Sequence, residues 1–211
     1  LEHDMYIHTF GIAMTCISEE GPAKDIKVLG RFLLNYYLSI HRTKEDSPLH
    51  YAVDEDRVDI FKILAGVPYF EDFNIENVDP DSDQWHNTIL GNACVKDRVE
   101  IVDFFMNLQG DRKIDFRNLA DNGETFLGCT LFQEACRSGS DKVVQLFLNR
   151  ADELNINLNS GGLVGPFILA ANYAKSKPVL DLLLKDKRID VGETDKYGYT
   201  ALHKSFNSVC G

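Results

Sequence analysis

The chain has 211 residues, 44% hydrophobic and 26% charged, enough for one large domain or a repeat array with a buried core. It carries 33 acidic against 22 basic residues, a net charge of −11, so its surface repels phosphate backbones and nucleic acid is excluded as a natural partner. A basic protein surface or peptide fits that charge better.

No apolar run approaches the roughly 18 residues of a membrane span, and the opening "LEHDMYIHTF" is acidic and mixed, unlike a signal peptide. This segment is therefore expected to insert into no membrane, while it could belong to the soluble part of a larger membrane protein. The five cysteines, Cys16, Cys94, Cys129, Cys136 and Cys210, are odd in number and form no C-x-x-C pair. That argues against a disulfide scaffold and for a reducing, cytoplasmic setting, with the nucleus left open.

In chain order, an imperfect unit spans "HTFGIAM" and "IKVLGRFLLN". A clear one follows from Ser47, "SPLHYAVDEDRVDIFKILA", and "TILGNACVKDRVEIVDFFM" from Thr88 aligns with it without a gap. "TLFQEACRSGSDKVVQLFL" starts at Thr130 and "GPFILAANYAKSKPVLDLLL", one residue longer, at Gly165; "TALHKSF" opens another at Thr200. Successive starts are 41, 42, 35 and 35 residues apart. Self-similarity at such a period marks a stacked array.

Each unit reads as two short helices. The first is rich in small residues: Ala52-Val53, Ala93-Cys94, Ala135-Cys136 and Ala170-Ala171. Small side chains let neighbouring helices approach. The second carries apolar residues at helical spacing, as in Ile60, Phe61, Ile63 and Leu64. Asp56, Asp97, Gly139 and Ala174-Lys175 fall between them, where a left-handed cap is expected. Pro178 stands at the start of a second helix, where its missing N–H costs little. Polar connectors follow: "DFNIENV", "KIDFRNLA", "LNINLNS" and "RIDVGETD".

"SPLHYA" at 47–52, "TALH" at 200–203, "DKYGYT" at 195–200, "VEIVDFF", "KVVQLFL" and "RIDV" together resemble the ankyrin repeat family, over residues 5 to 206. The resemblance implies L-shaped units, each an antiparallel helix pair with a projecting β-hairpin finger, stacked into a curved solenoid. The expected fold is all-α, a single ankyrin-repeat solenoid of five to six helix-turn-helix units. Their spans are 5–42, 43–83, 84–125, 126–160, 161–195 and a partial 196–211. The copies are divergent. Gly91, Gln133 and Ile168 replace the signature His, Ser47 or Gly165 replaces Thr, and two connectors run longer than is usual for the family. "KSFNSVCG" follows only one helix of the last unit, so the chain is expected to be a fragment of a longer protein.

Ser47, His50 and Asp54 look like a nucleophile, a base and an acid. The hydroxyl recurs without the His, however, since Thr88 faces Gly91 and Thr130 faces Gln133. A helix N-cap explains it, and the resemblance implies that the His bonds within and between repeats. No catalytic residue is assigned and no enzyme expected. His3, Asp4 and His8 lack a zinc spacing, and "DPDSDQW" at 79–85 lacks the Gly and Glu of a calcium loop, so neither metal nor cofactor is expected. "NSGGLVG" at 159–165 lacks a phosphate-loop Lys and reads as a finger. Cys94 and Cys136 are expected to pack between helices, and Cys129 and Cys210 to be exposed, with no basic neighbour to activate them.

Arrays bind through one face and its projecting loops. Subtracting core positions leaves a strip of exposed first-helix residues for a polypeptide partner: Tyr51 and Asp54, Asn92 and Lys96, Glu134 and Arg137, and Asn172. Trp85 and Tyr197 stand at finger positions, and Trp85, the single tryptophan, is a candidate hot spot. The expected function is a non-enzymatic protein–protein interaction scaffold. Two alternatives stay open. One is the cytoplasmic region of an ankyrin-class transient receptor potential channel of the painless type. The other is an inhibitory module resembling the IκB proteins.

Overall fold

The computed structural model describes residues 48–65, 88–110, 113–114, 116, 129–159, 164–172 and 177–207. The chain divides into two units, Leu1–Asn77 and Val78–Gly211. In the first unit, helix α1 (Pro48–Asp54) packs on α2 (Val58–Ala65). Leu49, Ala52 and Val53 of α1 and Ile60, Phe61 and Ala65 of α2 are buried. The turn between them is set by Asp56, whose φ of 56° is left-handed. The Arg57 N–H reaches back to the Ala52 carbonyl at 2.8 Å and the Asp56 N–H to Val53 at 3.3 Å, which satisfies carbonyls the helix end leaves open.

The second unit repeats that device. Helices α3 (Ile89–Val95) and α4 (Val99–Met106) meet at Asp97, φ 59°, with Arg98 N–H donating to Ala93 at 2.9 Å. Helices α5 (Leu131–Ser138) and α6 (Asp141–Leu154) meet at Gly139, φ 77°, with Ser140 N–H donating to Ala135 at 3.0 Å. The three expected left-handed turns are therefore present. The fourth, at Ala174-Lys175, lies outside the described residues.

Helix starts follow the chemistry of the sequence. Thr88 Oγ1 accepts from the Gly91 N–H at 2.9 Å. Thr130 forms a full capping box with Gln133. Each such cap is worth about 1 kcal/mol. Helix α7 (Pro166–Ala171) starts at Gly165 with proline in its first turn, and α8 (Lys177–Lys185) holds Pro178 in its first turn. Helix α9 (Ala201–Asn207) ends the described part. Ser47 and the imperfect unit at 5–42 lie outside it.

Within this unit the helices form two rows. The first helices run side by side, α3 against α5, α5 against α7 and α7 against α9. The second helices do the same, α4 against α6 and α6 against α8, and each second helix packs on its own first. Ala93, Ala135 and Ala170 are fully buried, as close approach along the first row requires. Phe147 sits where the rows meet, its ring 5.9 Å from Phe132 and 6.3 Å from Phe116, both edge-on. Burying each such ring contributes about 2–3 kcal/mol.

The described residues are helical with turns and contain no strand. The connectors at 66–87 and 117–128, where fingers are expected, lie outside them.

Candidate partner-binding face

The first row presents one edge outward. Lys96, just after α3, is exposed, and Asn172, just after α7, is half-buried. Asp54, in the other unit, is exposed at the end of α1. The Tyr51 side chain and the whole of Trp85 lie outside the described residues.

Two expected surface positions are corrected. Asn92 and Glu134 are each only 8% exposed. Both lie on first-row helices that pack against one another, so helical spacing alone put them one step too far toward solvent. Glu134 is ion-paired with Arg137, Nε and Nη2 at 3.0 and 2.7 Å from its Oε2. The Arg137 side chain is about a quarter exposed and remains the accessible part of that pair.

Cys129 is also corrected: it is 3% exposed, not open. Burial, then the Glu134 charge and a hydrogen bond to that carboxylate, push its thiol up to about 12, and the nearby Arg137 offsets this only in part. Cys94 and Cys136 are fully buried, as expected, and their thiols are raised chiefly by burial. A thiol held protonated is a poor nucleophile.

The loop before α9 is built around Asp195. Its Oδ1 accepts from the Tyr197 and Tyr199 N–H groups, both at 2.9 Å, and its Oδ2 lies 2.7 Å from Lys204 Nζ. Gly198 closes the turn with its N–H on the Asp195 carbonyl at 2.9 Å and a φ of 80°. The lysine first, then the two backbone donors, hold the Asp195 carboxyl below the usual carboxylate range.

This turn carries Tyr197, 70% exposed, with Lys196 Nζ 5.0 Å from its ring. Tyr199 is 45% exposed, tilted against His203 and covered by Lys204. Tyr199 was not among the expected contact residues. Its place directly before the Thr200 cap, two residues after Tyr197 in an extended turn, was the available signal.

Behind the turn, successive connectors are tied together. Asn159 donates to the Arg188 carbonyl at 2.7 Å and accepts from the Asp190 N–H at 2.9 Å. Arg188 itself grips Asp186, Asp152 and the Leu148 carbonyl.

Ser47 lies outside the described residues, so the hydroxyl–histidine contact is seen at its register equivalents, Thr200 and His203. His203 Nδ1 stands 2.8 Å from Thr200 Oγ1 and 3.2 Å from the Thr200 N–H. Gln133 does the same work in its own unit, taking the Thr130 N–H at 2.8 Å and adding a bond to the Val164 carbonyl at 3.0 Å.

Among the described residues, no three His, Cys, Asp or Glu side chains converge to hold a metal ion, and no helix is long and apolar enough to cross a membrane. No family model matches the chain, and no curated protein matches it.

Proposed function

We propose that the chain is a divergent ankyrin-repeat array acting as a non-enzymatic scaffold that holds a polypeptide partner in an intracellular, reducing setting. The observation that carries the reading is the two-row packing of repeated helix pairs, with a braced loop projecting Tyr197 and Tyr199 beside the first row. Such an array buries its core between units, and its freedom to vary lies in edge and loop residues.

On this reading Lys96, Arg137, Asn172 and Tyr197 are contact positions of the second unit, and Asp54 and Tyr51 of the first unit are candidates on their own, as is Trp85, on the sequence. Glu134 holds Arg137 through their ion pair, and Asn92, being buried, leaves the contact set. The charge of −11 favours a basic partner segment.

The test is capture of partners on the immobilised chain, followed by titration of each one recovered. Lys96→Ala with Tyr197→Ala is expected to weaken a genuine complex at least tenfold while leaving the melting temperature in place. Unchanged binding by that double variant would remove the site assignment, and hydrolytic turnover of the captured partner would remove the scaffold reading.

A further inference from the structure

We propose that the first-row edge of the second unit, from Lys96 to the Tyr197 turn, binds an acidic, extended polypeptide segment. The proposal rests on the scaffold reading and names the chemistry of its partner. In the repeat register Asn92, Glu134 and Lys204 occupy one position. Residues three and four further along a helix share its face, so Lys96, at the end of α3, and Arg137 of α5 stand on the face that Lys204 holds on α9. These helices belong to one row, with α7 between α5 and α9.

Four carboxylates border this edge, and each is engaged inward. Glu134 and Asp195 lie behind Arg137 and Lys204: the acidic side chains are 10% and 2% exposed, the basic ones 24% and 26%. Asp97, next to Lys96, turns to α6 and accepts the Val143 N–H at 2.9 Å. Glu193 caps α7 through the Ile168 N–H. Among the described helices of this unit, the exposed acids Glu100, Asp152, Glu153 and Asp181 all stand on the second row.

The edge is therefore cationic and aromatic toward solvent. Lys196 is exposed with its Nζ 5.0 Å from the Tyr197 ring, and Lys204 Nζ lies 5.2 Å from the Tyr199 ring. Each pair sets apolar surface beside positive charge, which fits a carboxylate flanked by an apolar side chain. The net charge of −11 belongs to the whole chain. At physiological salt a charge reaches only about 8 Å, so the local groups set the sign here. Four helices spaced about 8–10 Å apart make an edge of about 24–30 Å. An extended segment of about 7–9 residues spans it.

The test titrates the full chain with a fluorescent decapeptide that alternates glutamate with leucine or proline, and with its lysine counterpart. The glutamate peptide is expected to bind at least about tenfold tighter at about 50 mM salt, with the margin shrinking at about 0.5 M. Lys96→Glu with Lys196→Glu should weaken it at least about tenfold and leave the melting temperature in place, since both side chains are exposed. Lys177→Glu with Lys185→Glu makes the same change of net charge on α8, in the second row, and should alter the affinity less than about twofold.

Equal or tighter binding of the lysine peptide would overturn the proposal. So would equal losses from the two lysine pairs, because net charge alone would then be read. An oligothymidylate of matching charge that displaces the glutamate peptide as well as that peptide displaces itself would also overturn it, since any polyanion would serve. A preference for the lysine peptide that Lys96→Ala with Tyr197→Ala abolishes would leave the scaffold reading standing with a basic partner. That reading fails separately, when no captured partner responds to the same double variant.

Discussion

The Glu193 carboxylate accepts the Ile168 N–H at 3.0 Å, from 25 residues further along the chain. It supplies the cap that Gly165 cannot, and a Cβ at 165 would push the carboxylate away from that bond. The two positions are therefore coupled. Glu193→Ala and Gly165→Ser should each destabilise the chain by about 1 kcal/mol, the first by losing the acceptor and the second by steric conflict. Combined, they should cost less than their sum, since the serine can cap once the carboxylate is gone. Urea unfolding of the four proteins closes the cycle, and strict additivity would refute the coupling.

The same carboxyl gives a pH dependence. Burial raises it above its ordinary value of 4.5, against the Ile168 and Phe167 N–H bonds, which pull the other way. A raised folded value means that folding favours the protonated form. This contribution to stability is full below the unfolded value and is lost as pH rises through the folded one. Glu193→Gln keeps an acceptor oxygen and never ionises. It should gain on the parent as pH rises above the ordinary carboxyl value of 4.5, and a stability difference constant with pH would contradict the burial argument.

Gln133 shows what was legible and what was not. The Thr88 and Thr130 caps and the turns at Asp56, Asp97 and Gly139 are local, so residue type and spacing carry them. The Gln133 bond to Val164 and the Glu193 bond to Ile168 span 31 and 25 residues of chain, and no local pattern announces them. Asn92 and Glu134 were misplaced for a related reason. Their burial depends on the neighbouring first-row helix, which helical periodicity within one segment does not contain. Cys129 adjoins a connector in sequence, yet Glu134 and the α5 start enclose it.

Replacing Gln133 tests how far that substitution mimics the signature histidine. Gln133→Ala removes a capping-box partner and the bond to the half-buried Val164 carbonyl, an expected loss of about 1–2 kcal/mol. Gln133→His should recover the Thr130 bond in the manner of His203 and Thr200, and with it about half of that loss. Chemical unfolding of both variants is the measurement, and a histidine variant no better than alanine would separate the two positions functionally.

The corrected placement of Cys129 can be checked by thiol labelling. Cys94, Cys129 and Cys136 are buried, so in the native protein their peptides should label at the rate of opening rather than at that of an exposed thiol. Mass spectrometry of quenched time points resolves the three. Labelling of Cys129 at the exposed rate, with the other two protected, would return it to the surface.

Arg150 joins the second-row helices: Nη1 lies 3.1 Å from Asp103 and Nη2 3.2 Å from Asn107, both at the α4 end, while Nε holds Glu153 on its own helix at 2.7 Å. The Arg150 side chain is 19% exposed but Asp103 is 45% exposed, so solvent screens the pair. An exposed ion pair is worth about 0.5 kcal/mol, and a shared guanidinium divides its donors among three acceptors. The Arg150–Asp103 double-mutant cycle should therefore give a coupling of about 0.5 kcal/mol at low salt that fades toward zero at about 1 M salt. Phe147→Ala, which empties a fully buried ring site between Phe132 and Phe116, should cost about 3–5 kcal/mol and be indifferent to salt. The rows are on this account held by apolar packing, and Arg150 aligns α4 with α6 within the second row. A salt-resistant coupling larger than the Phe147 loss would reverse that order.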